Sequence, residues 1–242
     1  ASCRIMYGEY CVPQLSHQAN GKFAVTEMYH PLIPEGVRNS ITAERSVLLT
    51  GSNASGKSTF IKTVALNAIL AQTLHTVLAE NYQASWFCIA SSMALRDDIL
   101  SQESYYIVEI RSLKRILDLT RLSELPVLCF IDEVLRGTNT VERIAASSRI
   151  LQAIAEQGGL CFAATHDIEL TYLLEKEYDN YHFEEQVEDD KVTFDYCLHE
   201  GRACTRNAIR LLKMLGYDEK IVDDANERVA LFLKSGNWVS SH

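Results

Sequence analysis

The feature that most constrains the fold is a short apolar run followed by a glycine-rich loop and a helical stripe. Residues 46–50 read Ser-Val-Leu-Leu-Thr and end at Gly51, which is typical of a buried strand that feeds a glycine loop. Over residues 57–72 apolar side chains recur at helical spacing, and we predict a helix there. Strand, loop and helix in this order predict the start of an α/β domain.

The same alternation continues along the chain. Short apolar runs at 86–90, 127–131 and 160–164 predict further strands, and helical stripes at 104–120 and 141–157 predict helices. Fully apolar short strands are typical of sheets that are covered on both faces. We therefore expect an α/β fold with a mostly parallel sheet flanked by helices.

The two ends of the chain carry different patterns. Prolines and Gly36 interrupt the first 45 residues, so we predict an irregular lead-in segment over 1–45, ahead of a core at 46–200. Two β-prone runs at 180–187 and 191–198 predict a hairpin late in that core.

The last 42 residues predict two short helices. A helical pattern over 205–215 stops at Gly216, which is typical of the residue after a helix, and Asp218 can cap the next helix. We expect a helix-turn-helix element over 201–242. Its apolar stripes favour packing against another chain, while a DNA-reading helix-turn-helix is the alternative.

Composition limits the possible functions. The 242 residues carry a formal net charge of −9, which argues against a chain that binds a nucleic-acid backbone over its whole surface. The seven cysteines are scattered and form no Cys-x-x-Cys pair, as expected for free thiols in a reducing compartment. No apolar run approaches the ~20 residues that a membrane span needs. We predict a cytoplasmic protein.

The loop after the first core strand matches the phosphate-binding pattern GxxxxGK[ST]. In that pattern backbone N–H groups and a helix N-terminus face the phosphates, Lys57 reaches the β- and γ-phosphates, and Ser58 binds Mg²⁺. A chance glycine turn is the alternative. The predicted phosphate-contacting residues are Gly51, Ser52, Asn53, Ala54, Ser55, Gly56, Lys57, Ser58 and Thr59.

Two later strands end in residues with possible catalytic roles. Asp132 can support Mg²⁺, and Glu133 is placed to orient or deprotonate the water that attacks the γ-phosphate. A structural capping role is the alternative for either acid. His166 follows the next strand, where a γ-phosphate contact is favoured over a purely structural histidine.

These motifs together resemble the ATPase domain of the MutS DNA mismatch repair family, an ABC-type P-loop ATPase. The resemblance is carried by residues 50–59 (TGSNASGKST), 131–140 (IDEVLRGTNT) and 164–170 (ATHDIEL), and it extends over about residues 29–233. The Arg-Gly-Thr that follows Asp132-Glu133 is the discriminating part. The resemblance implies ATP and Mg²⁺ as ligands and ATP hydrolysis as the activity.

The resemblance also implies a site shared between two copies of the chain. Ser104, at the start of a predicted helix, is expected to reach the γ-phosphate of the partner's nucleotide, and Val37 and Asn39 are expected to contact the adenine base. The C-terminal helices are expected to dimerise. DNA would be bound by domains outside this chain.

Three other interpretations stay open. A general ABC- or SMC-like ATPase would keep the same phosphate loop, Glu133 and His166. A nucleotide-gated dimerisation module with little turnover is suggested by Gln102 and Glu103, where the family pattern has a glycine and no acid beside the serine. A small-molecule kinase is the weakest interpretation because Glu133 would have no role in it.

Overall fold

The computed structural model describes residues 9–17, 21–93, 105–135, 138–188, 191–203 and 208–236. The strands are β1 (Gln14–Ser16), β2 (Phe23–Met28), β3 (Asn39–Ala43), β4 (Ser46–Thr50), β5 (Asn81–Ser85), β6 (Cys88–Ser92), β7 (Val127–Asp132), β8 (Leu160–Ala164), β9 (Tyr178–His182), β10 (Glu185–Glu188), β11 (Lys191–Phe194) and β12 (His199–Glu200). The helices are α1 (Lys57–Leu74), α2 (Tyr105–Leu122), α3 (Thr140–Glu156), α4 (Leu170–Leu173), α5 (Ala208–Met214) and α6 (Glu219–Ser235).

The chain forms two compact units. The first comprises Ala1–Glu184 and Asp195–Ala203, and the second comprises Glu185–Phe194 and Cys204–His242. The predicted lead-in segment therefore belongs to the same unit as the core strands. The α/β class expected from the sequence is confirmed.

A six-stranded sheet organises the first unit, in the order β12-β9-β4-β8-β7-β6. Every neighbouring pair from β9 to β6 is parallel, and only β12 runs antiparallel to its neighbour. In parallel strands the carboxyl ends meet at one edge, which brings the residues after β4, β7 and β8 close together.

Helices cover both faces of this sheet. Alternate residues of a strand point to opposite faces, and accordingly Leu49 and Phe130 pack with α1 residues such as Val64. On the other face Leu48 packs with buried residues of α2 and α3, including Leu113. The sheet is thus buried on both sides, as its continuous apolar runs predict.

The prediction of an irregular lead-in was wrong for the described residues. Strands β1, β2 and β3 join β5 in a second sheet of order β1-β5-β2-β3. These strands are short, prolines lie before β1 and between β2 and β3, and β2 pairs with a strand more than 50 residues away. Local patterns cannot show such long-range pairing, because β preference depends on the neighbouring strands.

The hairpin predicted over 180–198 was wrong in its first strand. Residues 178–182 form β9, which pairs in parallel with β4 in the main sheet. The hairpin consists only of β10 and β11, with Glu185 opposite Phe194.

In the second unit, the first C-terminal helix ends and the second begins where the sequence predicts. Helix α5 ends before Gly216, whose φ of 79° is left-handed, and the Asp218 side chain accepts a hydrogen bond from the Lys220 N–H at the start of α6. Residues 205–207 of the predicted first helix lie outside the described residues.

The structure describes five of the seven cysteines. Cys11, Cys88, Cys129, Cys161 and Cys197 are free thiols. In the part of the chain that the structure describes, no helix is both long and apolar enough to span a bilayer.

Candidate functional site

The glycine loop lies between a fully buried strand and an 18-residue helix. All five residues of β4 are buried, and α1 begins at Lys57. Gly51 and Gly56 have φ values of 139° and 111°, which residues other than glycine rarely adopt. A Cβ on Gly51 would also lie 2.7 Å from the carbonyl oxygen of Phe183. The two glycines let the loop turn back over the helix start.

The loop closes around a buried lysine. Lys57 is 5% exposed, and its Nζ donates hydrogen bonds to the carbonyl oxygens of Gly51 at 2.8 Å and Ser52 at 2.7 Å. The hydroxyl oxygens of Ser52 and Ser55 are buried and have no hydrogen-bond partner among the described residues. Buried polar atoms without partners are costly, and a ligand that offers acceptors would satisfy them.

The start of α1 adds a second anion-binding feature. No described side chain caps its first turn at Gly56, so the first backbone N–H groups point into the loop without a side-chain acceptor. Together with the buried ammonium and the two serine hydroxyls, these donors fit a phosphate group.

A hydroxyl and a carboxylate meet beside the loop. Asp132 ends β7, and its Oδ1 accepts a hydrogen bond from Ser58 Oγ at 3.0 Å. In the described part of the chain, no three His, Cys, Asp or Glu side chains converge as a metal-binding group. A Mg²⁺ ion needs no such group, because it is usually held by one or two protein oxygens together with phosphate oxygens and water. Ser58 and Asp132 therefore fit a nucleotide-bound Mg²⁺.

Glu133 and His166 form a second polar pair on the same side of the sheet. Glu133 Oε1 lies 3.2 Å from His166 Nε2, and their side chains are 20% and 38% exposed. Both line the cavity that the glycine loop also lines. A carboxylate in this position is accessible to water and is oriented by a neighbouring ring, as a general base requires.

The backbone around Glu133 is strained. Glu133 has a φ of 62° and Leu135 a φ of 56°, and each non-glycine residue in this region costs roughly 1–3 kcal/mol. The N–H of Glu133 donates to the carbonyl oxygen of Ala164 at 3.1 Å, which links the turn to the end of β8. The strain places the Glu133 side chain toward the cavity rather than along β7.

The segment that carries His166 is fixed by an ion pair that the sequence did not predict. Arg143, in the first turn of α3, donates from Nε to Asp167 Oδ2 at 2.8 Å and from Nη2 to Oδ1. These bonds raise the pKa of Arg143. The Thr165 hydroxyl accepts a hydrogen bond from the Asp167 N–H. No sequence signal connects Arg143 with Asp167, which lie in different elements.

One cavity of about 480 Å³ joins these groups. The predicted site residues that line it are Val37, Asn39, Asn53, Ala54, Ser55, Gly56, Lys57, Ser58, Thr59, Glu133 and His166. Three further predicted residues contact the lining. The carbonyl oxygens of Gly51 and Ser52 accept hydrogen bonds from Lys57, and the Asp132 carboxylate accepts one from Ser58. Ser104 lies outside the described residues.

Part of the cavity lining is apolar. It includes Met28, Ile33, Val37, Phe183 and Tyr196. A Cβ on Gly56 would lie 3.3 Å from the Tyr196 ring, so the ring lies directly against the loop. This slot suits a flat, mostly apolar ring system.

His30 also lines this cavity. Burial lowers its pKa, and the charge of Lys62 acts in the same direction. Its Nδ1 accepts a hydrogen bond from the Leu32 N–H, as an unprotonated nitrogen does.

Asn39, which lines the cavity, bonds the segment that carries Tyr196. Its Nδ2 donates to the carbonyl oxygen of Tyr196 at 3.0 Å, and its Oδ1 accepts the N–H of Leu198 at 2.7 Å. The amide thus fixes the segment that carries Tyr196. Phe183 and Tyr196 were missed by the sequence reasoning because they are far from the loop in sequence; Tyr196 is 157 residues from Asn39.

A buried strand, a glycine loop that closes around a lysine, and a helix that starts at the loop define the P-loop class of nucleotide-binding proteins. The family model of MutS domain V matches residues 47–232. The chain belongs to the MutS family and corresponds to its domain V, the ATPase domain.

Curated relatives agree with this assignment. The chain is similar to the DNA mismatch repair protein MutS of Pseudothermotoga lettingae, with 33% identity over 92% of this chain and 28% of the relative. It is 31% identical to MutS of Natronomonas pharaonis over 90% of this chain and 26% of that protein. For a MutS protein of Thermus thermophilus the identity is 30% over 85% of this chain and 24% of the relative. The chain spans about a quarter of the length of these relatives.

Proposed function

We propose that this chain binds and hydrolyses Mg-ATP. The observation that carries the proposal is the convergence of three groups on one cavity: the loop around Lys57, the Ser58–Asp132 pair and the Glu133–His166 pair. Each supplies a part that ATP hydrolysis needs, namely phosphate binding, metal support and a proton acceptor.

The residues divide the work as follows. Lys57 and the first N–H groups of α1 bind the β- and γ-phosphates, and Ser58 and Asp132 hold the metal. When bound, Mg²⁺ neutralises charge on the phosphate oxygens. Glu133 accepts a proton from the water whose oxygen attacks the γ-phosphorus, while the bond to the β-phosphate oxygen breaks to give ADP and phosphate. His166 orients Glu133 and contacts the γ-phosphate.

In this proposal the apolar part of the cavity lining binds the base. Phe183, Val37 and Tyr196 line it, and binding is favourable because it removes apolar surface of the purine ring from water. Asn39 contributes indirectly, through the Tyr196 segment.

The biological role we propose is the movement of attached DNA-binding domains in DNA mismatch repair or related DNA maintenance. Its support is the family membership and the curated relatives, which are named DNA mismatch repair proteins. The DNA-binding domains would lie outside this chain, which covers about a quarter of those relatives. We also propose a cytoplasmic location for the working protein.

A homodimer completes the proposed site, with Ser104 of one copy facing the nucleotide of the other. Helices α5 and α6 would form a second contact between copies. In α6 four carboxylates outnumber three basic side chains, which does not favour DNA phosphates. Leu215, Ile221 and Leu231 are exposed apolar residues of this region and suit packing against another protein surface.

The metal assignment predicts a specific defect in Ser58→Ala. We expect ATP hydrolysis to require a much higher Mg²⁺ concentration and kcat to fall by about tenfold or more, because one of the two protein oxygens is lost. Steady-state ATPase assays across a Mg²⁺ series measure both values. Thr73→Ala is the matched control, because Thr73 is exposed on the same helix and its hydroxyl donates to the Ile69 carbonyl oxygen. An unchanged Mg²⁺ dependence in Ser58→Ala would remove Ser58 from the metal site.

The base-pocket assignment predicts weaker nucleotide binding in Asn39→Ala. Each of the two hydrogen bonds to the Tyr196 segment is worth about 1 kcal/mol, so their loss should raise the Kd for ATP by up to about 30-fold. Titration with a fluorescent ATP analogue measures this change. Ser40→Ala is the control: Ser40 follows Asn39 on β3, but its hydroxyl accepts the N–H of Glu27 on β2, so this variant should bind like the wild type. Equal affinity in both variants would show that Asn39 does not shape the pocket.

A further inference from the structure

Glu109 is a buried acidic residue that does not line the nucleotide cavity. It lies on α2 and is 2% exposed. One oxygen, Oε1, accepts the backbone N–H of Leu135, which is 26 residues away and follows β7. An ionised carboxylate is costly to bury unless it is well hydrogen-bonded, and a bond from N–H to a charged acceptor is stronger than a neutral one.

The Glu109 carboxyl oxygen bonds a strained turn, residues 133–135. Leu135 and Glu133 both have left-handed φ values, 56° and 62°, with Val134 between them. Such strain persists only where the surroundings determine the conformation. An amide donor at Leu135 with a fixed acceptor is one such constraint.

Three elements fix this turn from different sides. Glu109 of α2 bonds Leu135, Ala164 of β8 bonds the Glu133 N–H, and Ser147 of α3 approaches the Val134 carbonyl at 3.5 Å. The Leu135 side chain is 2% exposed and packs in the core on the α2 side of the sheet. Of the three polar anchors, Glu109 is the one whose acceptor is a side-chain carboxyl oxygen.

We propose that Glu109 is a positioning residue for ATP hydrolysis: it holds the turn after β7 so that the Glu133 carboxylate faces the cavity. This inference rests on the proposed function, since it concerns the general base of that reaction. Glu109 acts through the Leu135 backbone and two residues of chain. It also makes α2 and the Glu133 turn one mechanical unit, so a shift of α2 displaces the base.

Leu113 and Ile116, one and two turns after Glu109 on α2, are buried in an apolar core. What an apolar residue cannot supply is an acceptor for Leu135.

Two variants of similar volume separate the roles. Glu109→Met fills the space but cannot accept the Leu135 N–H, whereas Glu109→Gln keeps a side-chain oxygen. Amide hydrogen exchange, measured by NMR on the nucleotide-free full chain, reports the Leu135 bond directly. In Glu109→Met exchange at Leu135 should be faster by about tenfold or more, as for loss of a hydrogen bond to a charged group.

Activity and binding should then diverge. In Glu109→Met kcat should fall by about tenfold or more, because a displaced general base loses part of its contribution, while the affinity for a fluorescent ATP analogue stays within about twofold. Glu109→Gln should recover both kcat and slow exchange. Ser112→Ala is the matched control, since Ser112 lies on the same helix and bonds Ser91 rather than the turn.

Several results would overturn the proposal. Unchanged Leu135 exchange in Glu109→Met would show that the bond does not exist in solution, and faster exchange with an unchanged kcat would show that the bond has no catalytic effect. Equal loss of activity in Glu109→Gln and Glu109→Met would also overturn it. Failure of the proposed function looks different: wild-type protein would then lack nucleotide binding, whatever the exchange rate at Leu135.

Discussion

Replacing Lys57 with alanine should abolish measurable ATP binding and leave the fold intact. The ammonium is buried and bonded to loop carbonyl oxygens, and in the proposed site it binds the phosphate oxygens. Removing one partner of a buried, hydrogen-bonded charge pair weakens binding by about 100-fold or more. Titration with a fluorescent ATP analogue measures the affinity, and circular dichroism with thermal melting checks the fold.

Lys62→Ala is the control for this experiment. Lys62 lies on the same helix but is exposed, so its removal should change nucleotide affinity only slightly through the general charge of the region. Normal affinity in Lys57→Ala would remove the assignment of the phosphate loop. A folded Lys57→Ala that no longer binds, beside a Lys62→Ala that does, is the expected pair of results.

The second large effect is expected in Glu133→Gln. The amide cannot take a proton from water, so kcat should fall by about 100- to 10,000-fold, while ATP still binds because Lys57, Ser58 and Asp132 remain. The trapped ATP should lengthen the lifetime of the dimer. Single-turnover assays measure the chemical step, and light scattering with and without Mg-ATP measures the dimer.

The matched control is Glu142→Gln, which alters an exposed carboxylate in the first turn of α3. Turnover in the wild type no faster than in Glu133→Gln would contradict hydrolysis and support a nucleotide-gated dimerisation module. That alternative was suggested by Gln102 and Glu103, which lie outside the described residues. A protein that stays monomeric with Mg-ATP in every variant would count against the shared site.

The core strands and helices could be predicted because their signals are local. The run at 160–164 is continuous and apolar, and β8 has the same bounds. The Asp218 cap and the left-handed Gly216 are likewise properties of a few consecutive residues. Such features depend on backbone and side-chain chemistry within one turn.

The missed elements all depend on distant partners. Residues 180–187 were predicted as one strand of a hairpin, but 180–182 belong to β9, whose parallel partner β4 lies more than 130 residues earlier. The second sheet brings residues near the N-terminus together with β5. Neither the partner of a strand nor its place in a sheet is encoded in its own sequence.

The candidate site shows the same division. Lys57, Ser58 and the acids after β7 were predicted from motif and position, because a P-loop places phosphate donors by local geometry. The Tyr196 wall, the Arg143–Asp167 pair and the Glu109 acceptor were not predicted. Each joins residues from separate elements, so only the folded arrangement shows it.

A crystal structure of the full chain with Mn²⁺ and a non-hydrolysable ATP analogue is the most direct test of the nucleotide site. We expect an anomalous Mn²⁺ peak at the Ser58 hydroxyl and the Asp132 carboxylate, with the γ-phosphate between Lys57 and Glu133 and the base beside Tyr196. A nucleotide bound elsewhere on the chain, or a metal ion remote from Ser58 and Asp132, would contradict this assignment.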